Sequence, residues 1–172
     1  MIPPMRALAI LLIAVAAVAA LLIHGREQTW QLVFGPSDLG AVDFRVLQRS
    51  AWPNDALACP RDFCPKSAAD IVPPVYAVTA DELDAALHAA VTLEPLIDRV
   101  DTAPAKHASR YVQRSPLMRF PDTISVRTID LGPRRSTLAL YSRSKIGYSD
   151  LGANKARLER WIALLDTLPK AK

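Results

Sequence analysis

The pattern of apolar residues divides the chain into an apolar start and a longer mixed region. Ala7 to Ile23 form an uninterrupted apolar run of 17 residues, preceded by Arg6. As a helix this run is about 26 Å long, at the short end of what spans a bilayer. We therefore interpret residues 1–24 as an uncleaved signal anchor, with a cleaved signal peptide and a buried core helix as the alternatives.

The residues after this run lack a continuous periodicity. We assign residues 25–50 to a juxtamembrane tether, in which Trp30 and Phe34 are suited to lie at the membrane interface as amphipathic anchors. Residues 51–74 are rich in proline and contain both cysteines. Because proline cannot donate a backbone hydrogen bond, we predict that this segment is irregular and wraps the domain without joining a sheet. Residues 51–172 form the predicted soluble domain.

The first helix of this domain is predicted from local signals. Thr79 and Glu82 have the spacing of a capping box, in which the hydroxyl accepts an amide proton and the glutamate bonds back. Pro95 ends the helix. Asp84 and His88 are assigned to its exposed side. The apolar residues with helical spacing are Leu83, Ala86, Leu87, Ala90 and Val91.

Short β-prone runs predict extended segments on either side of this helix. One of them begins in alternation at Ile124 and Val126 and continues out of phase at Ile129 and Leu131. Such a change indicates a bulge or a strand buried on both faces. The turn L-G-P-R-R pairs this strand with the next as an antiparallel hairpin. The predicted strands are 75–78, 96–100, 107–112, 123–131 and 136–142.

The last helix has the clearest apolar stripe, and Pro169 closes it. Basic Lys155, Arg157 and Arg160 lie off this stripe. The order strand, helix, four strands, helix predicts an α+β fold, in which one antiparallel sheet is covered by two helices and follows an N-terminal transmembrane helix. The stripe consists of Leu158, Trp161, Ile162, Leu165 and Leu168.

The net charge of +4 is unevenly distributed. Residues 1–109 carry 8 Lys/Arg and 12 Asp/Glu, whereas residues 110–172 carry 13 and 5. A basic half on a membrane-tethered domain is attracted to anionic lipid headgroups, and a solvated basic face is the alternative. Nucleic-acid binding is not expected, because aromatic residues make up 6% of the chain and no nucleic-acid-binding motif is present.

The two cysteines, Cys59 and Cys64, lie within C-P-R-D-F-C-P. Their spacing is wider than in a thioredoxin-like pair, and no second Cys/His pair follows that would complete a zinc site. A disulfide in an oxidising compartment is the favoured interpretation, with reduced structural thiols and metal binding as alternatives. We therefore expect an inner-membrane, single-pass protein whose soluble domain lies in the periplasm.

The richest cluster of polar residues runs from Tyr141 to Asn154 and reads Y-S-R-S-K-I-G-Y-S-D-L-G-A-N. So many hydrogen-bonding groups suggest a ligand site, since an arginine fork suits carboxylate or phosphate recognition. The alternative is structural: Asp150 or Asn154 caps the last helix, and an Arg–Asp pair holds this loop against R-F-P-D. The tentative ligand-binding residues are Arg119, Asp122, Arg143, Tyr148, Asp150 and Asn154.

Catalytic signatures are scarce. The chain has no G-x-S-x-G elbow, no Gly-rich phosphate loop and no H-E-x-x-H motif. We assign no catalytic residue and expect neither a cofactor nor a metal. His107 is the plausible base among the three histidines, so a hydrolase that uses His107 or Asp150 with a serine of residues 141–154 stays as an alternative.

Several of these motifs occur together in one known family. P-N-D-A-L-A-C-P (residues 53–60), R-F-P-D (119–122), the polar segment 141–154 and the helix after it resemble the domain of unknown function 1499 family. The resemblance covers residues 40–168 and implies a bacterial envelope protein, often membrane- or lipid-anchored. It implies no activity and no catalytic residue.

The sequence thus favours a non-enzymatic, membrane-tethered periplasmic module. Its expected partners are the membrane, through the N-terminal helix, and an anionic lipid, an anionic small molecule or an envelope protein. The alternatives are a hydrolase and a structural assembly subunit with an exposed apolar patch.

Overall fold

The structure, a computed structural model, describes residues 4–23, 25–101 and 106–171 of the chain. The predicted anchor includes residues 1–3 and 24, which lie outside the described residues. The helices and strands follow one another as α1 (Pro4–Ile23), α2 (Arg26–Phe34), β1 (Asp55–Ala58), α3 (Ala80–Val91), β2 (Ile97–Arg99), β3 (Ala108–Arg114), β4 (Pro121–Asp130), β5 (Ser136–Ser144) and α4 (Ala153–Ala163).

The five strands form one antiparallel sheet, which confirms the predicted α+β class. Its order is β1-β5-β4-β3-β2, so the three longest strands lie in the middle. β4 and β5 form the predicted hairpin, with a register that runs without interruption from Asp122 opposite Ser144 to Asp130 opposite Ser136. β4 therefore has no bulge against β5, and its change of apolar phase reflects burial on both faces of the sheet.

One face of the sheet packs against α3 and α4. Strand residues at alternate positions point to this face, because successive side chains of a strand point to opposite sides. Trp161 of α4 meets Tyr111 of β3 edge to face, with ring centres 5.7 Å apart. Burying one large apolar side chain contributes about 1.5–3 kcal/mol, so this cluster is a major source of stability. Its largest fully buried members are Trp161, Tyr76, Tyr111, Leu83, Leu87, Ile124, Leu138, Leu140, Leu158 and Leu165.

The chain before β1 lies against the other face of the sheet. Asp38 accepts hydrogen bonds from Nε of Arg110 on β3 at 2.8 and 2.9 Å. The amide of Leu39 donates to the hydroxyl of Thr123 on β4 at 3.0 Å. Residues 37–47, which belong to the segment assigned to a tether, therefore pack on the sheet. The buried apolar residues of this second cluster are Phe44, Leu47, Leu57, Cys59, Cys64, Ala139 and Tyr141.

The predicted disulfide between Cys59 and Cys64 is confirmed. Both cysteines are buried just after β1, and the loop that they close brings Phe63 to 6.3 Å from Phe44, measured between ring centres. The cross-link thus fastens this loop to the second apolar cluster.

Two short segments differ from their predictions. The prediction that residues 51–74 stay outside the sheet is wrong, because Asp55–Ala58 form the edge strand β1, antiparallel to β5. These four residues contain no proline, so their amides are available for the ladder. Residues 75–78 were predicted as a strand, but Tyr76 makes only isolated bridges there, to Ser136 and Lys170.

Both predicted helices of the domain are present. α3 begins at the predicted capping box: the Glu82 amide donates to the Thr79 hydroxyl at 3.2 Å, and the Thr79 amide donates to the Glu82 carboxylate at 2.8 Å. α4 ends at Ala163. The residues that follow it continue as turns towards Pro169, which was predicted to close the helix.

The assignment of Asp84 and His88 to the exposed side of α3 is wrong. The hydroxyl of Thr128 on β4 donates to Asp84 at 3.1 Å, and Nδ1 of His88 lies 2.9 Å from the hydroxyl of Tyr111 on β3. Both residues follow a buried leucine by one position, so they lie at the edge of the buried stripe and reach the polar atoms of the sheet.

α1 and α2 precede the sheet domain. The apolar side chains of α1 are largely exposed; Ile13, for example, is 68% exposed. Among the helices that the structure describes, none alone is long and apolar enough to cross a membrane. α1 and α2 together have the length and composition of a broken span, bent by 108° between them. α2 contacts the β3–β4 turn, where Nε1 of Trp30 donates to the carbonyl of Met118 at 2.6 Å.

We expect reduction of the Cys59–Cys64 disulfide to lower the free energy of unfolding by about 2 kcal/mol, because the bond restricts the unfolded chain. Urea unfolding followed by tryptophan fluorescence, with and without a phosphine reductant, measures this. The Cys59→Ala/Cys64→Ala double variant is the control, since its midpoint should not depend on the reductant. An unchanged wild-type midpoint would mean that the bond adds no stability.

Candidate functional site

A buried arginine joins α4 to the sheet. Arg157, which is 7% exposed, donates from Nε to Oε1 of Gln113 at 2.6 Å and from Nη1 to Oγ of Ser142 at 2.7 Å. Its Nη2 pairs with Oδ2 of Asp122 at 2.6 Å. One side chain of α4 is thus bonded to three adjacent strands, β3, β4 and β5.

Asn154 extends this network towards β1. Its Oδ1 accepts hydrogen bonds from Oγ of Ser142 and Nη1 of Arg157, both at 2.6 Å. Its Nδ2 donates to the carbonyl of Asn54 and to Oγ of Ser144, both at 2.9 Å. The fully buried amide therefore has its hydrogen-bonding capacity satisfied. The start of β1, the end of β5 and the start of α4 meet at this residue.

Asp150 holds the loop before α4. Its Oδ2 accepts the amide of Asn154 at 2.7 Å, and its Oδ1 accepts the amide of Gly152 at 3.0 Å. The carboxylate satisfies an amide of the first helical turn and has the sign of charge that a helix N-terminus favours. Gly152 has a left-handed φ of 83°, which a residue with a side chain rarely adopts. Asp150 therefore caps α4, as predicted by the alternative in which residues 141–154 have a structural role.

Glu94 connects the network to the segment after α3. Nε2 of Gln113 donates to the Glu94 carboxylate at 3.2 Å, and Nε of Arg160 donates to it at 2.9 Å. The hydrogen bond from Arg160 lowers the pKa of the Glu94 carboxyl below its ordinary value, against the opposing effect of burial. The network that is centred on Arg157 thus ends in a half-exposed ion pair.

The assignment of Arg157 to the polar side of α4 is wrong. Asn154, Arg157, Leu158 and Trp161 have the spacing i, i+3, i+4 and i+7, so Arg157 continues the buried stripe towards the start of the helix. The stripe turns from apolar to polar where it faces the polar ends of the strands. That change along one helix face is the sequence signal that identifies Arg157.

The structure brings together three of the six tentative ligand-binding residues, Asp122, Asp150 and Asn154. Asp122 and Asn154 share Arg157 as a partner, and Asp150 bonds the Asn154 amide. Their side chains bond Arg157, two serines of β5 and backbone groups, so the cluster is a structural network at the start of α4.

The expected convergence of all six residues is not found. Arg143 follows Ser142 on β5 and therefore points to the opposite face, where Nη2 donates to two backbone carbonyls at 2.8 and 3.0 Å. Tyr148 is 65% exposed, and its ring centre lies 4.8 Å from that of Trp52. Arg119 lies in the β3–β4 turn beside α2. Ligand binding by these residues stays a prediction.

The groups considered for hydrolysis lie at opposite ends of the sheet. Nε2 of His107, before β3, lies 2.8 Å from Oδ1 of Asp81, and this hydrogen bond lowers the pKa of the exposed Asp81 carboxyl. Asp150 bonds backbone amides at the other end, near Ser142. Across the described parts of the chain no serine is hydrogen-bonded to a histidine, so no nucleophile–base pair is formed. The same residues include no group of three His, Cys, Asp or Glu side chains placed to hold a metal ion.

A groove of about 690 Å³ lies between residues 41–45 and strands β3 and β4. Its volume falls within the range of about 300–1,000 Å³ that small-molecule sites have. The groove lies towards the end of the sheet that is remote from Asp122. Its apolar walls include Val42, Phe44, Phe63 and Ile129, and its charged walls include Arg45, Arg110, Arg127, Asp43, Asp101 and Asp130.

Ser125 of β4 lines this groove. The residue is 5% exposed, and within the described structure its buried Oγ has no hydrogen-bond partner. Leaving a buried hydroxyl unpaired costs about 1–3 kcal/mol. Nearby, the Arg45 guanidinium lies 4.2 Å from the centre of the Phe63 ring, and Nη1 of Arg127 donates to a backbone carbonyl at 3.1 Å. The groove therefore combines an unsatisfied hydroxyl with apolar walls and arginine donors.

A family model matches most of this domain. The model described as "Protein of unknown function (DUF1499)" matches residues 35–165. The matched range contains all five described strands together with α3 and α4. No curated protein and no solved structure matches the chain.

Replacing Arg157 by methionine should destabilise the fold strongly. Removing one partner of a buried ion pair leaves an uncompensated charge and costs about 3–5 kcal/mol. Arg160→Met is the matched control on the same helix, because Arg160 is half-exposed in its pair with Glu94 and such pairs contribute about 0–1 kcal/mol. Denaturant unfolding of both variants provides the comparison.

The double variant Arg157→Met/Asp122→Asn separates the buried charge from the lost hydrogen bonds. Neutralising Asp122 should restore part of the stability that Arg157→Met loses, since no unpaired carboxylate remains. Equal losses in the free energy of unfolding for Arg157→Met and Arg160→Met would contradict the conclusion that the buried bonds of Arg157 stabilise the fold strongly.

Acid should remove a contribution to stability that Glu94 makes. The pKa of Glu94 is lowered in the folded protein, so the contribution is complete above the ordinary value of 4.5 and is lost as the pH falls through the lowered value. Thermal unfolding across the acid range should therefore show a shallower loss for Glu94→Gln. The control is Glu159→Gln, an exposed glutamate of α4. Identical acid profiles for wild type and Glu94→Gln would refute this.

Proposed function

The chain belongs to the DUF1499 family, and from that premise we propose that it is a membrane-tethered, non-catalytic binding module. Its ligand is a lipid-like amphiphile held in the groove between residues 41–45 and strands β3 and β4. The buried, unpaired hydroxyl of Ser125 carries the proposal. Because this hydroxyl is covered in the described structure, a ligand head bonds it once the side chains over it shift, and the bond then recovers the free energy that the fold leaves unsatisfied.

The walls of the groove support an amphiphile as ligand class. Val42, Phe63 and Ile129 offer apolar surface for a hydrocarbon body, as in most small-molecule sites. Two of the lining charges are already paired, Asp101 with Arg99 and Arg110 with Asp38. The other charged lining residues are two arginines and two aspartates besides His107, so hydrogen bonding and apolar fit define the ligand more than net charge does.

The tether in this proposal is α1, inserted in the inner membrane. Its exposed apolar side chains support insertion, because contact with water costs about 25 cal/mol per Å² of apolar surface. The disulfide between Cys59 and Cys64 supports an oxidising compartment. The sheet domain accordingly lies in the periplasm.

Native mass spectrometry of the full chain, released from mild detergent, tests the groove. We expect a stoichiometric adduct of lipid-like mass on the wild type and its loss in Ala108→Trp, because the indole ring fills the groove that Ala108 lines. Ala85→Trp, the same substitution at an exposed position of α3, is the control and should keep the adduct.

Ser125→Ala probes the hydroxyl itself. Loss of one hydrogen bond removes about 0.5–1.5 kcal/mol, so the identified ligand should bind roughly two- to tenfold more weakly. A wild-type chain without an adduct, or an adduct that persists in Ala108→Trp, would contradict the proposed function.

A further inference from the structure

Most of the exposed large apolar residues that the structure describes in the sheet domain lie at one end of the sheet. β1 and β4 begin at this end while β5 and β3 finish there, since Asp55 lies opposite Arg143 and Pro121 opposite Arg114. The loops and turns at this end are 51–54, 92–96, 115–120 and 145–152. They expose Trp52, Leu93, Leu117, Met118, Tyr148 and Leu151, by 37% to 95%. We call this set the apolar end.

The apolar end is continuous with the N-terminal helices. Trp30 of α2 donates to the carbonyl of Met118, and Nη1 of Arg26 bonds the carbonyl of Leu117. α2 also exposes apolar side chains of its own, with Leu32 at 88%. The exposed apolar side chains of α1 and α2 thus lie next to the β3–β4 turn, with polar residues such as Arg26 and Gln28 at the junction of the two helices.

The residue types of the apolar end suit a membrane interface. The rings of Trp52 and Tyr148 pack at 4.8 Å, and tryptophan and tyrosine are the side chains that concentrate at the level of lipid headgroups. Cations accompany these rings. Of the neighbouring acids, Asp150 accepts hydrogen bonds from backbone amides, and Glu27 pairs with Arg114 at 3.1 Å. Each cation near an anionic surface contributes about 1 kcal/mol. The cations are Arg26, Arg119, Lys145 and Lys155.

A cavity of about 320 Å³ at the junction of α1 and α2 opens beside this surface. Leu21, Arg26 and Arg119 are among the residues that line it, together with Glu27, whose carboxylate is paired with Arg114. In the described structure the buried Nη1 of Arg119 has no hydrogen-bond partner. A guanidinium nitrogen in that state is suited to a phosphate oxygen, because arginine–phosphate hydrogen bonds are charge-assisted.

We propose that the apolar end lies on the bilayer that holds α1, and that Arg119 binds the phosphate of an anionic phospholipid. Trp52, Tyr148 and Leu151 then rest among the headgroups. The proposal rests on the tether proposed above and is independent of the groove, which lies towards the opposite end of the sheet. A bilayer fits better than a protein partner because the surface continues the apolar surface of α1.

Brominated lipids, which quench tryptophan on contact, test this placement. The full chain is reconstituted into vesicles of phosphatidylcholine and phosphatidylglycerol with brominated acyl chains. The emission of Trp52 is the difference between wild type and Trp52→Phe, and we expect most of it to be lost. Both proteins carry Trp30→Phe, so that Trp161, which is fully buried in the core, is the tryptophan that remains and provides the unquenched reference.

Variants identify the contacts. Leu117→Glu combined with Leu151→Glu should restore the Trp52 emission, because two carboxylates oppose contact with an anionic bilayer. Leu131→Glu makes the same substitution in the β4–β5 turn at the opposite end, and should leave the quenching unchanged. Arg119→Gln should reduce the increase in quenching that phosphatidylglycerol gives over phosphatidylcholine alone, and should reduce it more than Lys145→Gln does, because Lys145 supplies only a charge at the surface.

Flotation of the same vesicles at alkaline pH separates the possible failures. A chain that does not float overturns the tether and this proposal together, whereas the adduct in the groove is measured without a bilayer. A chain that floats with Trp52 quenched no more than Trp161 overturns only the docking of the apolar end. In that case a protein partner or a second copy is what covers the surface.

Discussion

The rest of the fold depends on the burial of the Arg157 guanidinium among hydrogen-bond partners from the sheet. An ion taken out of water loses several kcal/mol of hydration, and this loss is offset only when partners meet it with good geometry. Gln113, Asp122 and Ser142 supply those partners from three strands. A shift of one residue in any of these strands would turn its partner to the other face of the sheet. We interpret the buried pair as the constraint that selects the native register.

This constraint gives the two ends of the sheet different properties. At one end the network of Arg157, Asn154 and Asp150 fixes the loops that begin β1 and α4, and those loops present the apolar residues proposed to meet the membrane. Towards the other end, among the residues that the structure describes, the hydroxyl of Ser125 is left unpaired beside an open groove. The Arg157 network and the unpaired hydroxyl are thus separated along the strands, so exchange of the proposed ligand need not disturb the surface proposed to orient the domain.

Local patterns predicted the parts of the structure that local interactions determine. The capping box of α3, the stripe of α4 and the β4–β5 hairpin each follow from residues close together in sequence. β1 was missed because D-A-L-A has no signal of its own and becomes a strand only by pairing with β5. Arg157 was missed because a charged residue is buried only when a distant partner exists, and Asp122 lies 35 residues away. The groove was missed for the same reason: its walls come from residues 41–45 and from β3 and β4.

The lengths of the strands have a consequence for how the chain behaves at high local concentration. The edges of the sheet are its shortest strands, β1 with four residues and β2 with three, while the ten-residue β4 lies in the centre. On the outer side of β1, the Cys59 amide donates to the carbonyl of Ile71, and the carbonyl of Leu57 accepts the amide of Asp70. A neighbouring copy therefore finds little free backbone to extend. If α1 anchors the chain as proposed, molecules concentrated in two dimensions can collide often without their sheets joining into an aggregate.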